Sequence, residues 1–357
     1  MRPARACINL KALRHNYHYA KSLAPHSKAA AIIKANAYGH GAVVAARALY
    51  DADAFGVACI EEALELREAG ITQPIVLLEG VFTPDELPLA AHYQLMIAVH
   101  SIEQVMWLEQ ARLSHPLAVW LKIDTGMHRL GFAPEQVAQI YARLKACTNV
   151  ALITLMTHFA RADEVDCAAT EQQIARFKAA TQGIQAPVSI ANSPATLAWP
   201  STRLDWVRPG IMLYGASPVA AELPVSQALQ PVMTLESALI AVRELGVGES
   251  IGYGARFTCE QSTRVGVVAM GYADGYPRHA VNGTPVVGSG VRTRIIGRVS
   301  MDMLTVDLTS LPDAKVGDRV ELWGNNVLAN EVAAHSQTIA YTLFTGITRR
   351  VPLVYQH

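Results

Sequence analysis

The chain has 357 residues, of which 51% are hydrophobic and 17% charged, and its 30 Lys+Arg balance 30 Asp+Glu to a formal net charge of zero. This composition excludes a disordered chain and leaves no cationic footprint for nucleic acid, while the length exceeds what one core usually fills and predicts two domains. No apolar run is long enough to span a bilayer. The opening residues MRPARACINLKALRHNYHYA lack the apolar centre of an export signal. The five cysteines, Cys7, Cys59, Cys147, Cys167 and Cys259, form no CxxC pair, so the expectation is a cytoplasmic protein with reduced thiols.

From about residue 28 to 215 one pattern recurs, a short apolar run followed by a helical stretch. The runs are AAAIIK (29–34), AFGVA (54–58), PIVLLE (74–79), LMIAV (95–99), LAVWLKI (117–123), ALITLMT (151–157), PVSIA (187–191) and WVRPGIMLY (206–214). Amphipathic segments such as IEEALELREAG and PEQVAQIYARLKAC lie between them. Continuous apolar runs suit parallel strands buried on both faces. Eight such units predict an α/β fold with a closed (β/α)8 barrel, over residues 9–228. From about residue 229 the texture changes to short β-rich runs, among them VMTLESALIAV, RVGVVAM and DMLTVDL, punctuated by turn signals such as NGTP. Residues 229–357 therefore read as a second, mainly β domain, with one helical stretch, NEVAAHSQTIAYTLFTGI, near its end.

A barrel predicts that functional residues cluster at the C-terminal ends of its strands. Lys34 ends the first run, and a glycine-rich turn, ANAYGHG, follows at once. Alone, it fits a lysine whose stem packs inside while its head reaches water. The other runs change that reading. Lys122, Asp124 and Arg129 follow the fifth, and His158 ends the sixth. Asn192 and Ser193 follow the seventh, and Arg208, Gly210 and Ile211 belong to the eighth. Polar residues at five ends of one polarity describe a site. Ser193 can cap the helix that begins at NSPATL, whose free N–H groups attract an anion, and Gly210 lets a second backbone approach closely. The plain alternative is an ordinary cap and a loop glycine. A lysine amine facing a phosphate subsite points to pyridoxal 5'-phosphate (PLP), which needs a lysine for its aldehyde and an anchor for its phosphate. No GxxxxGK[ST], HExxH or paired Cys/His spacing supports another chemistry, and the twelve histidines are scattered.

With these motifs in hand, the chain resembles the alanine racemases, PLP enzymes of fold type III. The resemblance runs nearly end to end and is carried by IIKANAYGHG, DTGMHRLG, THFARADE, VRPGIMLYG, GYGARF, GYADGYPRH and RVSMDML. It implies that Lys34 holds PLP covalently and is one catalytic base, taking the proton from D-alanine. Tyr253 would be the other, serving L-alanine. It implies Arg208 at the pyridine nitrogen with His158 in support, and Tyr38, Ser193, Gly210 and Ile211 at the phosphate. Arg129 and the backbone of Met301 would orient substrate, with Asp302 and Tyr272 supporting the site. It also implies a head-to-tail homodimer in which Tyr253 and Met301 reach the other subunit's cofactor, and residues 1–8 adding a strand to the C-terminal domain. Lys122 is expected to carry a carboxylate derived from CO2 that holds Arg129; pairing with Asp124 or Asp302 is the alternative. One departure stands out. Some relatives carry a tyrosine just before the last Arg-Val-Pro, where this chain has Arg349, so that phosphate-side contact does not carry over.

These residue types suit racemisation, which needs an acid/base on each face of a planar carbon; the expected product role is D-alanine for peptidoglycan. An arginine cannot hand a proton to pyridine, which weakens the electron sink and limits side reactions. Three rivals share parts of the pattern. A non-enzymatic PLP carrier needs no second base, a decarboxylase of the same fold type is expected to place a carboxylate where Arg208 stands, and a racemase of broader specificity needs the same machinery.

Overall fold

A computed structural model describes residues 2–356; the outermost residues of the expected domain bounds, 1 and 357, lie outside the described residues. Eight parallel strands close into a barrel: β2 (Lys28–Ile32), β3 (Ala54–Val57), β4 (Ile75–Leu77), β5 (Met96–Val99), β6 (Leu117–Lys122), β7 (Val150–Met156), β8 (Val188–Ala191) and β9 (Trp206–Val207), preceded in the chain by β1 (Arg5–Asn9). The closing pair sets Lys28 beside Trp206 and Ala29 beside Val207. Strand side chains alternate between faces. In β6, Leu117, Val119 and Leu121 join the core that the outer helices share, whereas Trp120 packs with Val76, Ala98 and Met156 inside the barrel. Lys122 has the parity of Trp120 and so tops the inner face.

The remaining strands form a mainly β domain: β10 (Met233–Leu245), β11 (Ser250–Ile251), β12 (Phe257–Thr258), β13 (Thr263–Val268), β14 (Pro285–Gly288), β15 (Val291–Arg294), β16 (Leu304–Asp307), β17 (Arg319–Trp323) and β18 (Leu353–Gln356). One sheet runs β15-β14-β17-β10-β1-β18, with β13 joining β10 to β16, while β11 and β12 form a separate hairpin. The N-terminal strand β1 pairs antiparallel with β10 and parallel with β18.

Two local expectations need correction. The eighth apolar run is not one strand. Pro209 has no N–H to continue the ladder, so β9 stops at Val207 and Ile211–Tyr214 form a 3-10 turn. The stretch NEVAAHSQTIAYTLFTGI is not one helix but two, Ala329–His335 and Ala340–Thr345. Between them Gln337 turns left-handed at φ 51°, and the Thr338 N–H bonds back to the Ala333 carbonyl, which closes the first helix.

The most unusual backbone follows β2. Ala35, Asn36, Ala37 and Tyr38 all have φ between 51° and 53°, one full left-handed turn. For L-residues this costs about 1–2 kcal/mol each, so the surroundings must impose it. The Ala37 N–H bonds to the Ile33 carbonyl, and Glu62 accepts from the N–H groups of Ala35 and Ala58 with its two carboxylate oxygens. Asn36 Oδ1 accepts from Ala42 and starts the next helix. His40 Nδ1 lies 3.0 and 2.9 Å from the carbonyl oxygens of Ala37 and Tyr38, so it must carry the proton and donate to the turn's own acceptors.

His40 is wholly buried, and burial pushes its pKa down to about 4, against the two carbonyl acceptors that favour the charged form. Its folded pKa lies below its unfolded value, so the unfolded chain binds more protons between about pH 6.5 and 4. The stability of the neutral form is therefore present above 6.5 and lost as pH falls through that window, on the order of 3 kcal/mol. His40→Asn, which keeps a donor near Nδ1, is expected to flatten this dependence. Denaturant unfolding of both proteins at pH 7 and 4.5 checks it; an unchanged difference between the two pH values removes the assignment.

Candidate active site

Lys34 sits two residues beyond the end of β2, half-buried at the barrel mouth. Four residues on, at the far end of the left-handed turn, Tyr38 is buried. Its ring stacks on Tyr214 with centroids 4.8 Å apart, and the Tyr214 hydroxyl donates to the Ile32 carbonyl at 2.8 Å. Because β2 pairs with β9, this turn faces the loop after β9. A methyl group on Gly210 would lie 2.9 Å from the Tyr38 oxygen, so glycine lets the hydroxyl approach this closely without a shift. Ser193 Oγ accepts from the N–H of Gly210 at 2.7 Å. It does not cap its helix as expected; Asn192 does, accepting from the Ala195 N–H at 3.2 Å. The hydroxyl is thereby turned toward the Gly210–Ile211 backbone, and Ile211 is buried beside it. Tyr38, Ser193, Gly210 and Ile211 thus meet in one cradle. The Tyr38 hydroxyl has no hydrogen-bond partner among the described residues.

Arg208 is buried just below the mouth. Its Nη1 donates to the carbonyl and the hydroxyl of Ser189, both at 2.7 Å, and its Nη2 to the Thr157 carbonyl at 2.6 Å. No carboxylate bonds it among the described residues. Burial lowers its pKa to about 10, so it remains charged at neutral pH. Nη2 also lies 3.5 Å from His158 Nδ1. An arginine can only donate, so His158 offers a lone pair there. Burial, and then the charges of Arg208, Lys122, Arg129 and Lys34, hold the imidazole well below its ordinary pKa, in the neutral form.

Lys122 is 7% exposed and tops the inner face of the barrel. Burial, then Arg208 and Arg129, lower its pKa to about 8, with Glu79 pulling the other way and Lys34 adding to the depression. Neither of its two expected carboxylate partners is free. Asp124 accepts from the N–H groups of Gly126, Met127 and His128 at 3.0–3.1 Å and from His128 Nδ1. Burial works against that carboxylate, but the donors hold it below its usual range. Asp302 is bound by Arg350 at 2.7 Å. A cavity of about 10 Å³ borders Lys122, Arg129 and His158, with Arg129 itself on the exposed rim.

The structure thus brings Lys34, Tyr38, Lys122, Arg129, His158, Ser193, Arg208, Gly210 and Ile211 to one end of the barrel. Tyr253, Tyr272, Met301 and Asp302 lie in the β domain, and no hydrogen bond or ring contact among the described residues joins them to Lys34. Tyr253 is 67% and Met301 53% exposed. Tyr272 lies under the Arg278 guanidinium, 5.8 Å from the ring centre. Arg349 is exposed on the turn before β18. Several residues of the site escaped the sequence reading. Ser189 was signalled only as one hydroxyl inside the run PVSIA, and Asn36 and His40 stood inside a motif whose backbone geometry no propensity suggests. Glu62, Thr157 and Tyr341 gave no signal of their own.

The residues at the mouth suit PLP on the geometry alone. The Tyr38 hydroxyl closes on the Gly210 backbone, Lys34 opens the turn that carries Tyr38, and a buried arginine is held by neutral acceptors.

The family model for the alanine racemase N-terminal domain matches residues 8–218, and that for the alanine racemase C-terminal domain matches residues 232–355. The chain is 59% identical over 356 residues to an alanine racemase of Pseudomonas taetrolens, covering 99% of both. It is 58% identical, with the same coverage, to a catabolic alanine racemase of Pseudomonas putida. Its fold superposes on the crystal structure of a biosynthetic alanine racemase from Pseudomonas aeruginosa with a TM-score of 0.97 at 48% identity, covering 100% of both chains.

The depressed pKa of Lys122 carries its own test. The unfolded chain holds this proton up to about pH 10.5, the folded chain only to about 8, so the unmodified lysine destabilises the fold below pH 8 and the penalty is relieved between 8 and 10.5. In CO2-free buffer the stability of the wild type relative to Lys122→Met is expected to rise across that window, by roughly 2–3 kcal/mol. A difference that stays constant from pH 7.5 to 10 contradicts the burial of an ammonium here.

Proposed function

The chain belongs to the alanine racemase family, and from that membership we propose that it interconverts L- and D-alanine with PLP bound at Lys34, in a two-base reaction. The observation that carries the reading is that the turn opened by Lys34 brings Tyr38 onto Gly210, whose N–H donates to Ser193, across the closing strand pair β2–β9. When bound, PLP supplies the electron sink that makes the Cα proton of an amino acid removable. Lys34 would hold the cofactor's aldehyde carbon and the cradle its phosphate. Arg208, which stays charged, would face the ring nitrogen without giving up a proton, which keeps the sink moderate and favours return of the proton to Cα.

The protein's own task is then to move one proton on each face. Lys34 Nζ takes and returns it on one side. The second base of the proposal is the Tyr253 hydroxyl. Its exposure in the β domain, with no hydrogen bond to Lys34 among the described residues, supports a head-to-tail homodimer in which Tyr253 and the Met301 backbone serve the partner's site, with Tyr272 and Asp302 behind them. Arg129 orients the substrate carboxylate. Lys122 has a ready route to neutralise the crowding of cations. With a pKa of about 8, roughly a tenth of it is free amine at pH 7. That amine adds to the carbon of CO2: one N–C bond forms as one C=O π bond opens onto oxygen, an N–H proton leaves to solvent, and the product is a carbamate anion beside Arg129 and Arg208. The engagement of Asp124 and Asp302 elsewhere favours this over an ion pair.

The proposal includes a cytoplasmic location and the division into a barrel over 9–228 and a β domain over 229–357 completed by residues 1–8. Among the described residues, no helix is long and apolar enough to cross a membrane. We read the cellular role as supplying D-alanine for peptidoglycan. The catabolic name of a 58% identical relative favours a second reading, in which the same reaction serves alanine breakdown. Deleting the gene separates them: a requirement for added D-alanine supports the first, and loss of growth on alanine alone supports the second.

Two experiments test the chemistry. Tyr253→Phe keeps the ring and removes the proton, so exchange of the L-alanine α-proton in D2O should fall by about 10²–10⁴-fold, while exchange from D-alanine through Lys34 persists. Equal loss from both enantiomers would assign Tyr253 a positioning role. A mixture of Lys34→Ala and Tyr253→Phe chains should regain activity on subunit exchange, because one hybrid site then receives neither substitution. No recovery after proven exchange would mean that each site is built from a single chain.

A further inference from the structure

The left-handed turn that carries Lys34 and Tyr38 is touched from the β domain at three points. The Phe344 carbonyl presses on Gly39 so closely that a methyl group there would lie 2.2 Å from it, and Gly39 itself has φ +79°. The Phe344 ring meets His40 edge-on at 5.1 Å between centroids. The Tyr341 ring lies 5.7 Å from that of Tyr38, tilted by 43°. Tyr341 and Phe344 share the short helix Ala340–Thr345, three residues apart, and so project on neighbouring lines of one face. Phe344 is 3% exposed. Both rings therefore pack on the two residues, Tyr38 and His40, that fix the far end of the turn.

Within the turn only Asn36 is of a type that tolerates the left-handed form readily. Alanine at 35 and 37 gains nothing from that conformation, and relaxing to the right-handed form would swing Tyr38 away from Gly210. We infer that the helix Ala340–Thr345 is a clamp, with Tyr341 and Phe344 as positioning residues that hold Tyr38 over Gly210 and so couple cofactor affinity to the packing of the β domain on the barrel. The inference rests on the reading of Tyr38 as a cofactor residue and is testable separately from it.

The measurement is PLP titration of the apo-protein, read by absorbance, together with hydrogen exchange of the amides of Ala37, His40 and Gly41, whose backbone bonds define the turn. Tyr341→Ala and Phe344→Ala are each expected to weaken PLP binding roughly three- to tenfold, the worth of a lost aromatic contact. They should speed exchange of those three amides by a similar factor, with amides of β5 and β6 unchanged. Tyr341→Phe keeps the ring and should restore both readouts to within about twofold of wild type. If Phe344→Ala fails to fold, Phe344→Leu, which keeps bulk without the aromatic edge, carries the exchange comparison. Wild-type exchange at 37, 40 and 41 in the Tyr341 and Phe344 variants overturns the clamp. So does unchanged PLP affinity in both while Tyr38→Phe weakens it. Unchanged affinity in Tyr38→Phe itself instead refutes the cofactor reading, and the exchange data then still decide whether the helix holds the turn.

Discussion

L-residues wound left-handed for a whole turn need an external reason to stay so. In this protein the turn 35–38 is that costly element, and the site is arranged around it. A right-handed turn after Ile33 would satisfy the same i to i−4 hydrogen bond, from Ala37 to Ile33, at lower backbone cost. What it could not do is set Tyr38 against Gly210 while His40 donates into the turn and Glu62 ties the Ala35 N–H to the neighbouring loop. The cost, roughly 1–2 kcal/mol per residue, is offset by contacts with three other parts of the chain: Glu62 in the helix after β3, the loop after β9 and the helix Ala340–Thr345.

Electrostatics at the mouth follow the same logic of imposed arrangement. Lys34, Lys122, Arg129 and Arg208 converge, with the Glu79 carboxylate opposing their effect on Lys122. A buried guanidinium is tolerated because carbonyls and a hydroxyl satisfy its donors, and these neutral partners leave its full charge facing the site. The neighbouring imidazole responds by staying neutral, and Lys122 by holding its proton less tightly. A basin of this kind favours anions, and Lys122, whose pKa is lowered to about 8, has a route to losing charge near neutral pH that the arginines lack.

The division of labour between barrel and β domain is physical rather than merely sequential. The barrel mouth gathers residues from strands distant in the chain, whereas Tyr253 and Met301 stand exposed on the β domain. The N-terminal strand β1 pairs with β10 and β18 before the chain enters the barrel, so both ends of the chain share the β sheet.

Much of this was legible in the sequence. Eight apolar runs with helical spacers pointed to a parallel sheet covered on both faces, and their number favoured a closed barrel over an open doubly wound sheet. Lysine and glycine types at strand ends marked the mouth, and the motifs around them marked the family. Other features were beyond local reading. Pro209 ended the eighth run because a missing N–H matters only once a partner strand is there to receive it. Ser193 turned from its helix to the Gly210 backbone because β8 and β9 lie side by side, and Asn192 was left to cap. The two short helices near the end looked like one, since the left-handed Gln337 leaves no mark in hydrophobic periodicity. The chain by itself determined which residue types stand at which strand ends. Only the tertiary structure decided that β2 closes on β9, that a turn of alanines winds the wrong way, and that Asp124 and Asp302 are committed elsewhere, because each of these depends on contacts between residues far apart in sequence.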